Sequence, residues 1–360
     1  MKIMIAGGGT GGHFYPALAI AEEFARQGHE ETVFFGRRNS FESRKFAEMK
    51  LPHHLLDIQG IIRSFTWRNL LFMPRLLRSF LQTRKAMKAF QPDVVIGTGG
   101  YVSGMPVFVA NRLSIPVYIQ EQNAFPGLTT RIAGRFARQI FLGFPDDARR
   151  FDIEKSVYYG NPVRGNVGQA DRSEARRLLG LSETDVAIVV IGGSQGALSI
   201  NQSIATLLPQ ITSHKNARLF WQTGQSHFSR FELLADDYEN IKISPFYDNM
   251  PDMLAAADIM VCRAGAITLA ELALVGRAAI LIPYPHAAEN HQWYNARRYA
   301  EKDAAYMVDD APEMQDALWL YIEQLLNKSD LREAMAARCR EFGRPHAATM
   351  IVEHILKEMD

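Results

Sequence analysis

Cysteine is nearly absent from this chain of 360 residues. Cys262 and Cys339 stand alone, without a neighbouring thiol at metal-ligand or redox spacing, so no disulfide framework is expected and a reducing compartment is. Long apolar runs are missing as well, and none reaches the roughly 18 residues that a bilayer-spanning helix needs. The chain opens directly on an apolar strand-like stretch, so no signal peptide is expected at its start. The glycine-rich Walker pattern is absent, which argues against a P-loop nucleotide hydrolase. Asp-x-Asp occurs nowhere, and His286, Glu289 and His291 do not have the His-Glu-x-x-His spacing, so no metal and no cofactor are expected. Low-complexity segments and a solenoid period are lacking too. What remains is 47% apolar, enough for two α/β domains.

Acid is missing from one long stretch. From Ile58 to Pro92 there is no Asp or Glu, whereas Arg63, Arg68, Arg75, Arg78, Arg84, Lys85 and Lys88 are all basic. Interleaved with them are Trp67, Met73, Leu76, Leu77, Phe80 and Leu81. On a helix, Arg68, Arg75, Arg78 and Lys85 share one face, and Met73, Leu76, Leu77, Phe80 and Leu81 share another. A basic amphipathic helix of this kind suits an anionic membrane surface, and Trp67 suits its interfacial level. An ordinary domain helix with a solvated basic side is the plainer alternative. No nucleic-acid recognition motif accompanies the charge, so nucleic acid is not expected as a partner. The net charge of +1 conceals an asymmetry, since residues 1–160 carry 21 basic and 13 acidic side chains and the remainder 19 and 26. A first half at +8 and a second at −7 suggest that the first faces something anionic.

Three glycine-rich turns each follow an apolar strand. Lys2-Ile3-Met4-Ile5-Ala6 leads into Gly7-Gly8-Gly9-Thr10-Gly11-Gly12-His13. Asp93-Val94-Val95-Ile96 leads into Gly97-Thr98-Gly99-Gly100-Tyr101-Val102-Ser103-Gly104. Ala187 to Ile191 leads into Gly192-Gly193-Ser194-Gln195-Gly196-Ala197. After the first turn, Pro16 to Arg26 reads as a helix with Pro16 at its first position. Leu18, Ala21, Phe24 and Ala25 form its apolar face, with Glu22, Glu23 and Arg26 outward. Glycines let backbone N–H groups approach a ligand, and a helix N-terminus favours an anion. A tight turn alone would need no ligand, but His13 places a titratable side chain where open α/β sheets bind theirs.

Further strands at 32–35, 117–119 and 139–142 alternate with helical stretches, which implies parallel sheets with crossover helices. The pattern restarts near residue 185, with strands at 217–221, 241–243, 259–261 and 278–282. Two doubly wound domains facing across a cleft are expected, 1–160 and 161–343, with a terminal helix of about 344–360 packing back on the first. In the second half, Cys262-Arg263-Ala264-Gly265-Ala266-Ile267-Thr268-Leu269-Ala270-Glu271 opens a helix with small residues after a strand. Glu271 could accept both hydroxyls of a ribose diol, although a solvated glutamate is the usual fate of such a residue. Downstream, His291, Gln292 and Asn295 are groups suited to sugar hydroxyls.

In order along nearly the whole chain stand Gly-Gly-Thr-Gly-Gly-His at 8–13, Thr-Gly-Gly-Tyr-Val-Ser-Gly at 98–104 and Glu-Gln-Asn at 121–123. Asn-Pro-Val-Arg at 161–164, Gly-Gly-Ser-Gln-Gly-Ala at 192–197, the Arg263–Glu271 stretch and His291-Gln292-x-x-Asn295 complete the series. Together they resemble the MurG family, the bacterial N-acetylglucosaminyltransferases that convert lipid I to lipid II in peptidoglycan synthesis. The resemblance implies a GT-B fold of two Rossmann-like domains, inverting chemistry, and a donor site in the second domain. It implies that Glu271 binds the uridine ribose and that backbone near Tyr247 reads uracil. Arg164, Ser194, Gln195 and the amides of Ala266, Ile267 and Thr268 would hold the diphosphate, with Thr10, Gly11 and Gly12 also on the donor. His291, Gln292 and Asn295 would contact GlcNAc, while Tyr101, Ser103 and Asn123 would lie on the acceptor side. The implied partners are UDP-GlcNAc, lipid I, an anionic membrane surface and other proteins of cell-wall synthesis. The implied location is the cytoplasmic face of the bacterial inner membrane. Two departures stand out: Ala264, where the pattern often has Ser, and His346, where an acid is commoner.

The chemistry agrees with this reading. The muramyl C4 hydroxyl must lose a proton as it attacks C1 of GlcNAc, and the imidazole of His13 titrates in the useful range. Glu121, beside Asn123, is the rival base. Leaving UDP gathers negative charge, which Arg164 and a helix N-terminus can stabilise. Three other classes compete: another GT-B enzyme, such as a glycolipid synthase or UDP-GlcNAc epimerase; a nicotinamide oxidoreductase, for which the first turn has the Gly-x-Gly-x-x-Gly spacing with Glu30 or Glu31 downstream; and a non-catalytic lipid-binding module.

Overall fold

The computed structural model describes residues 1–57, 72–193 and 195–359. The chain divides into two compact units, Met1–Arg164 with Pro345–Asp360, and Gly165–Arg344. Unit 1 holds β1 (Lys2–Gly7), β2 (Glu31–Arg37), β3 (His53–Leu56), β4 (Val94–Gly99), β5 (Val117–Glu121), β6 (Gln139–Leu142) and β7 (Ser156–Tyr158). Among the described residues they form one parallel sheet in the order β3-β2-β1-β4-β5-β6-β7. The connecting helices are α1 (Gly11–Arg26), α2 (Phe41–Glu48), α3 (Phe72–Phe90), α4 (Tyr101–Arg112) and α5 (Leu128–Ala133).

Unit 2 repeats the plan. Its helices are α6 (Arg172–Leu179), α7 (Leu198–Ser213), α8 (Phe228–Phe231), α9 (Met250–Ala256), α10 (Ala266–Val275), α11 (His291–Ala300), α12 (Met314–Asn327) and α13 (Ser329–Arg340). Strands β8 (Val186–Ile191), β9 (Ala217–Gln222), β10 (Ile241–Ser244), β11 (Ile259–Cys262), β12 (Ala278–Leu281) and β13 (Tyr306–Met307) pair in parallel as β10-β9-β8-β11-β12-β13. In both sheets the order reverses beside the first strand, between β1 and β4 and between β8 and β11. Chains leave the sheet in opposite directions there, which opens a crevice at the carboxyl ends of the strands.

The expected parallel sheets are present because their central strands are buried on both faces. In β1, Ile3 and Ile5 pack into the layer containing Phe14, Leu18 and Phe24, whereas Met4 and Ala6 join Val95, Val107 and Val117 on the opposite face. α14 (Ala347–Met359) closes the first layer with Ile351, Val352 and Ile355. Tyr118 donates its hydroxyl to Glu358 at 2.7 Å, and Tyr159 bonds His354 at 3.0 Å, tying the same helix to the sheet. Burial and the Glu358 carboxylate both push the Tyr118 phenol above its ordinary range.

Three expectations about helices need correction. α1 begins at Gly11, so Pro16 stands in its second turn rather than at its first position. The end of the glycine run, Gly11 and Gly12, is itself helical, with the amides of His13 and Phe14 both bonded to the Thr10 carbonyl at 3.2 Å. Glu23 is buried and Ala25 exposed, because α14 covers the Glu23 side of α1. The Glu23 carboxylate is held by Arg26 and Gln27 and stays below its ordinary pKa, chiefly through the Arg26 bond. On α3 the buried side is Ser79, Thr83 and Met87, and Phe80 is half-buried, 6.3 Å from the Phe108 ring. Phe80 therefore leaves the exposed apolar strip, which keeps Leu76, Leu77 and Leu81. Trp67 and Arg68 lie outside the described residues. No helix among the described residues is long and apolar enough to cross a membrane.

Candidate active site

His13 is the third residue of α1 and stands over the β1–β4 switch point. The pairing of β1 with β4 slips there, from Ala6 opposite Gly97 to Gly7 opposite Gly99, which leaves Thr98 as an extra residue. Thr98 uses that freedom on His13. Its hydroxyl donates to the His13 carbonyl at 2.9 Å, and its own carbonyl lies 3.0 Å from His13 Nδ1. Gln122 Oε1 lies 2.8 Å from the same nitrogen. His13 Nε2 has no hydrogen-bond partner among the described residues. The ring rests against Gly99 and Gly100, whose φ values of 96° and 76° favour glycine. A Cβ at Gly99 would stand 2.7 Å from His13 Nδ1, so any side chain there would displace the imidazole.

Beneath the first turn lies a residue that the sequence reading passed over. Glu42, at the start of α2, is fully buried and accepts the amides of Gly9 at 2.8 Å and Arg37 at 3.0 Å. A capping box between Ser40 and Ser43 fixes the helix end that delivers it.

The other acceptor-side candidates divide by burial. Tyr101 is 65% exposed at the first position of α4, available to a ligand. Ser103 is buried and donates to the Gly100 carbonyl at 2.9 Å, so its hydroxyl shapes the second turn. Glu121 is buried at the end of β5, and one carboxylate oxygen accepts both the Asn123 amide (2.9 Å) and its side chain (3.2 Å). That oxygen holds a turn, a poor posture for a base that must meet a substrate hydroxyl. Arg164 places its guanidinium 4.9 Å from the centre of the Tyr15 ring.

In unit 2 the third turn follows β8, and Ser194 lies outside the described residues. Gln195 is exposed there. Gln222, unmarked by any motif, bridges two candidate segments: it donates to the Gly193 carbonyl at 3.2 Å and accepts the Tyr247 amide at 2.9 Å. α10 starts at Ala266 with Gly265 as its cap and no side-chain cap bond. The amides of Ala266, Ile267 and Thr268 therefore lack partners within the helix. Glu271, on the next turn, is buried rather than solvated. Arg263 links the loops around it, pairing with Asp310 at 2.7 Å, Ser199 at 3.1 Å and the carbonyls of Ile282 and Pro283 at 3.2 Å each.

Glu289 and Asn290 both adopt left-handed backbone, φ 56° and 53°, immediately before His291. Two such residues in succession cost free energy that the surrounding fold must supply, a pattern concentrated at functional sites. Gln292 Oε1 accepts the Tyr284 amide at 2.9 Å, and His291 Nδ1 lies 2.7 Å from the Ala288 carbonyl. Asn295 is wholly buried, with its amide on the Ala264 carbonyl at 3.2 Å, so it stands beneath the loop.

Residues 3–142 match the glycosyltransferase family 28 N-terminal domain, and residues 187–351 match the family 28 C-terminal domain. The UDP-N-acetylglucosamine–N-acetylmuramyl-(pentapeptide) pyrophosphoryl-undecaprenol N-acetylglucosamine transferase of Desulfitobacterium hafniense is 37% identical over 360 residues, covering 98% of each chain. The crystal structure of Acinetobacter baumannii MurG superposes with a TM-score of 0.79 at 28% identity, over 99% of this chain and 100% of that one. The chain belongs to the MurG family. As a MurG family member it is a glycosyltransferase with two Rossmann-like domains of the GT-B kind. The UDP-GlcNAc 2-epimerase of Neisseria meningitidis shares the fold alone, at 14% identity, a TM-score of 0.67 and 99% coverage of this chain against 100% of its own.

Proposed function

We propose that this MurG family member moves GlcNAc from UDP-GlcNAc to the C4 hydroxyl of the muramyl-pentapeptide of lipid I, with inversion, yielding lipid II. One observation carries the assignment of roles. Each sheet has its motif residues at its switch point, an imidazole in unit 1 and an open helix N-terminus with a buried carboxylate in unit 2. Unit 2 then holds the donor. Glu271 takes the ribose hydroxyls, the segment at Tyr247 reads the base, and the first amides of α10 receive the diphosphate. Gln195, Ser194, Arg164, Thr10, Gly11 and Gly12 are assigned to the donor as well, offering positive charge and N–H groups. Gln292 and His291 orient GlcNAc, with Asn295 acting through the Ala264 loop.

Unit 1 holds the acceptor, with Tyr101 and Asn123 beside it and Ser103 and Glu121 shaping the turns. His13 takes the proton from the C4 hydroxyl as that oxygen attacks C1 on the face opposite UDP. The bond from C1 to the diphosphate breaks, and charge developing on UDP is met by the helix N-terminus and Arg164. α3 brings the enzyme to the lipid, at the cytoplasmic face of the inner membrane. Leu76, Leu77 and Leu81 are exposed beside Arg78, Arg84, Lys85 and Lys88, which favours an anionic surface.

The donor assignment is tested by calorimetry. Glu271→Ala weakens UDP binding by about 1.5–3 kcal/mol, the range for hydrogen bonds to a charged group. The variant no longer distinguishes UDP from 2′-deoxy-UDP. Equal UDP affinity in both proteins would remove Glu271 from the ribose.

A further inference from the structure

Behind His13 a chain of amides runs into unit 1. Asn161 donates from Nδ2 to the Gln122 carbonyl at 3.0 Å. A backbone carbonyl only accepts, so this contact fixes which end of the Asn161 amide is nitrogen. Asn161 Oδ1 then accepts from Gln120 Nε2 at 3.0 Å. The Gln120 oxygen is thereby turned towards Gln122, whose Nε2 donates to it. The same Nε2 lies 2.8 Å from the Thr98 carbonyl and 3.1 Å from the Gln120 carbonyl, so every neighbour of that nitrogen is an acceptor. What Gln122 presents to His13 is therefore its oxygen.

The consequence falls on the imidazole. Nδ1 faces Gln122 Oε1 at 2.8 Å and the Thr98 carbonyl at 3.0 Å, two groups that accept and cannot donate. The proton of the neutral ring is on Nδ1, and Nε2 keeps its lone pair. We infer that Gln122 is a positioning residue that holds His13 as the Nδ1–H tautomer, leaving Nε2 to take the proton of the acceptor hydroxyl. This rests on the reading of His13 as the base.

Burial makes the polarity durable. Gln120, Gln122 and Asn161 are 0%, 2% and 4% exposed, so water cannot stand in for a reversed amide. Reversing one would set oxygen against oxygen and NH2 against NH2 at the next junction. A serine-protease histidine has its tautomer fixed by a carboxylate. Here a neutral amide does the same work and places no charge beside the ring. Gln122 and Asn161 both stand in motifs quoted above, between or beside residues assigned to substrate, and until now had no task of their own.

The test joins spectroscopy to kinetics on the full chain labelled with 15N-histidine, with the His13 signals assigned by their loss in His13→Ala. In the wild-type enzyme with the ring neutral, Nδ1 gives a protonated and Nε2 an unprotonated signal. Gln122→Met keeps the side-chain length and removes the acceptor. Its kcat falls on the order of 10²-fold, the effect of misplacing a reacting group by about 1 Å. Its KM for UDP-GlcNAc stays within about twofold and its His13 signals shift towards mixed tautomers, since orientation alone is lost. Gln122→Glu meets three acceptors with its second oxygen, which holds it as the neutral acid donating to them, so a carbonyl-type acceptor stays opposite Nδ1 and the Nδ1–H tautomer and most of kcat are kept. An Nε2–H tautomer in the wild-type enzyme overturns the inference, and so does an equal loss in the Met and Glu variants. If Gln122→Met fails to fold, the wild-type spectrum decides. A wild-type rate in His13→Ala removes the base reading instead, while the tautomer measurement still reports on Gln122.

Discussion

Glu42 shows how much a single buried side chain can do for a glycine turn. Its carboxylate satisfies the amides of Gly9 and Arg37, at 2.8 and 3.0 Å, and fills the space against Gly8 where any Cβ would collide. Glu42→Ala removes the acceptor of two part-buried N–H bonds, at about 0.5–1.5 kcal/mol each, and is expected to lose roughly 1–3 kcal/mol of stability. Urea denaturation measures it, and an unchanged midpoint would contradict the role. The first glycine turn was legible from sequence because its glycines are consecutive and end on a histidine. Glu42 was not, since one acid in an amphipathic helix looks the same whether it faces water or a backbone amide. Gln122 escaped for a related reason: a glutamine carries no charge to draw attention, and its importance comes from what Asn161 and Thr98 do to it. Glu271 was legible only through its motif, and its burial is what separates it from a solvated glutamate.

Among elements, the buried central strands were read directly from apolar runs, as in β6, which spans the expected Gln139–Leu142. The short strands β3, β7 and β13 did not show such runs. β3 opens with the exposed pair His53 and His54 at a sheet edge, and β13 has only two residues. α3 was legible as a basic amphipathic helix, yet its inner face uses Ser79 and Thr83, with Ser79 donating to the Asp57 carbonyl at 3.4 Å. Hydrophobicity alone therefore did not show that Phe80 is half-buried against Phe108. The exposed strip predicts that Arg78→Glu with Arg84→Glu weakens binding to anionic vesicles about 30-fold or more, at ~1 kcal/mol per basic residue lost. Turnover of a water-soluble acceptor analogue is expected to survive. Unaltered sedimentation with vesicles would exclude this face of α3 from the membrane.

On the scale of the whole molecule, the repeated strand order explains why the glycine turns recur: each sheet needs a tight, small-residue exit at its switch point. The return of the chain to unit 1 through α14 has a local cause in Ile351, Val352 and Ile355, which complete a layer that α1 leaves open. The pairs Tyr118–Glu358 and Tyr159–His354 set its register. The opposed charges of the two halves suit an anionic surface on one and substrate recognition by neutral and backbone groups on the other. The most direct test is to incubate the enzyme with UDP-GlcNAc and a lipid I analogue and to determine the product by NMR. The account predicts one UDP released for each GlcNAc joined through a β-linkage to the muramyl C4 oxygen. Release of the 2-epimer of the donor sugar without a disaccharide, or an α-linked product, would contradict it.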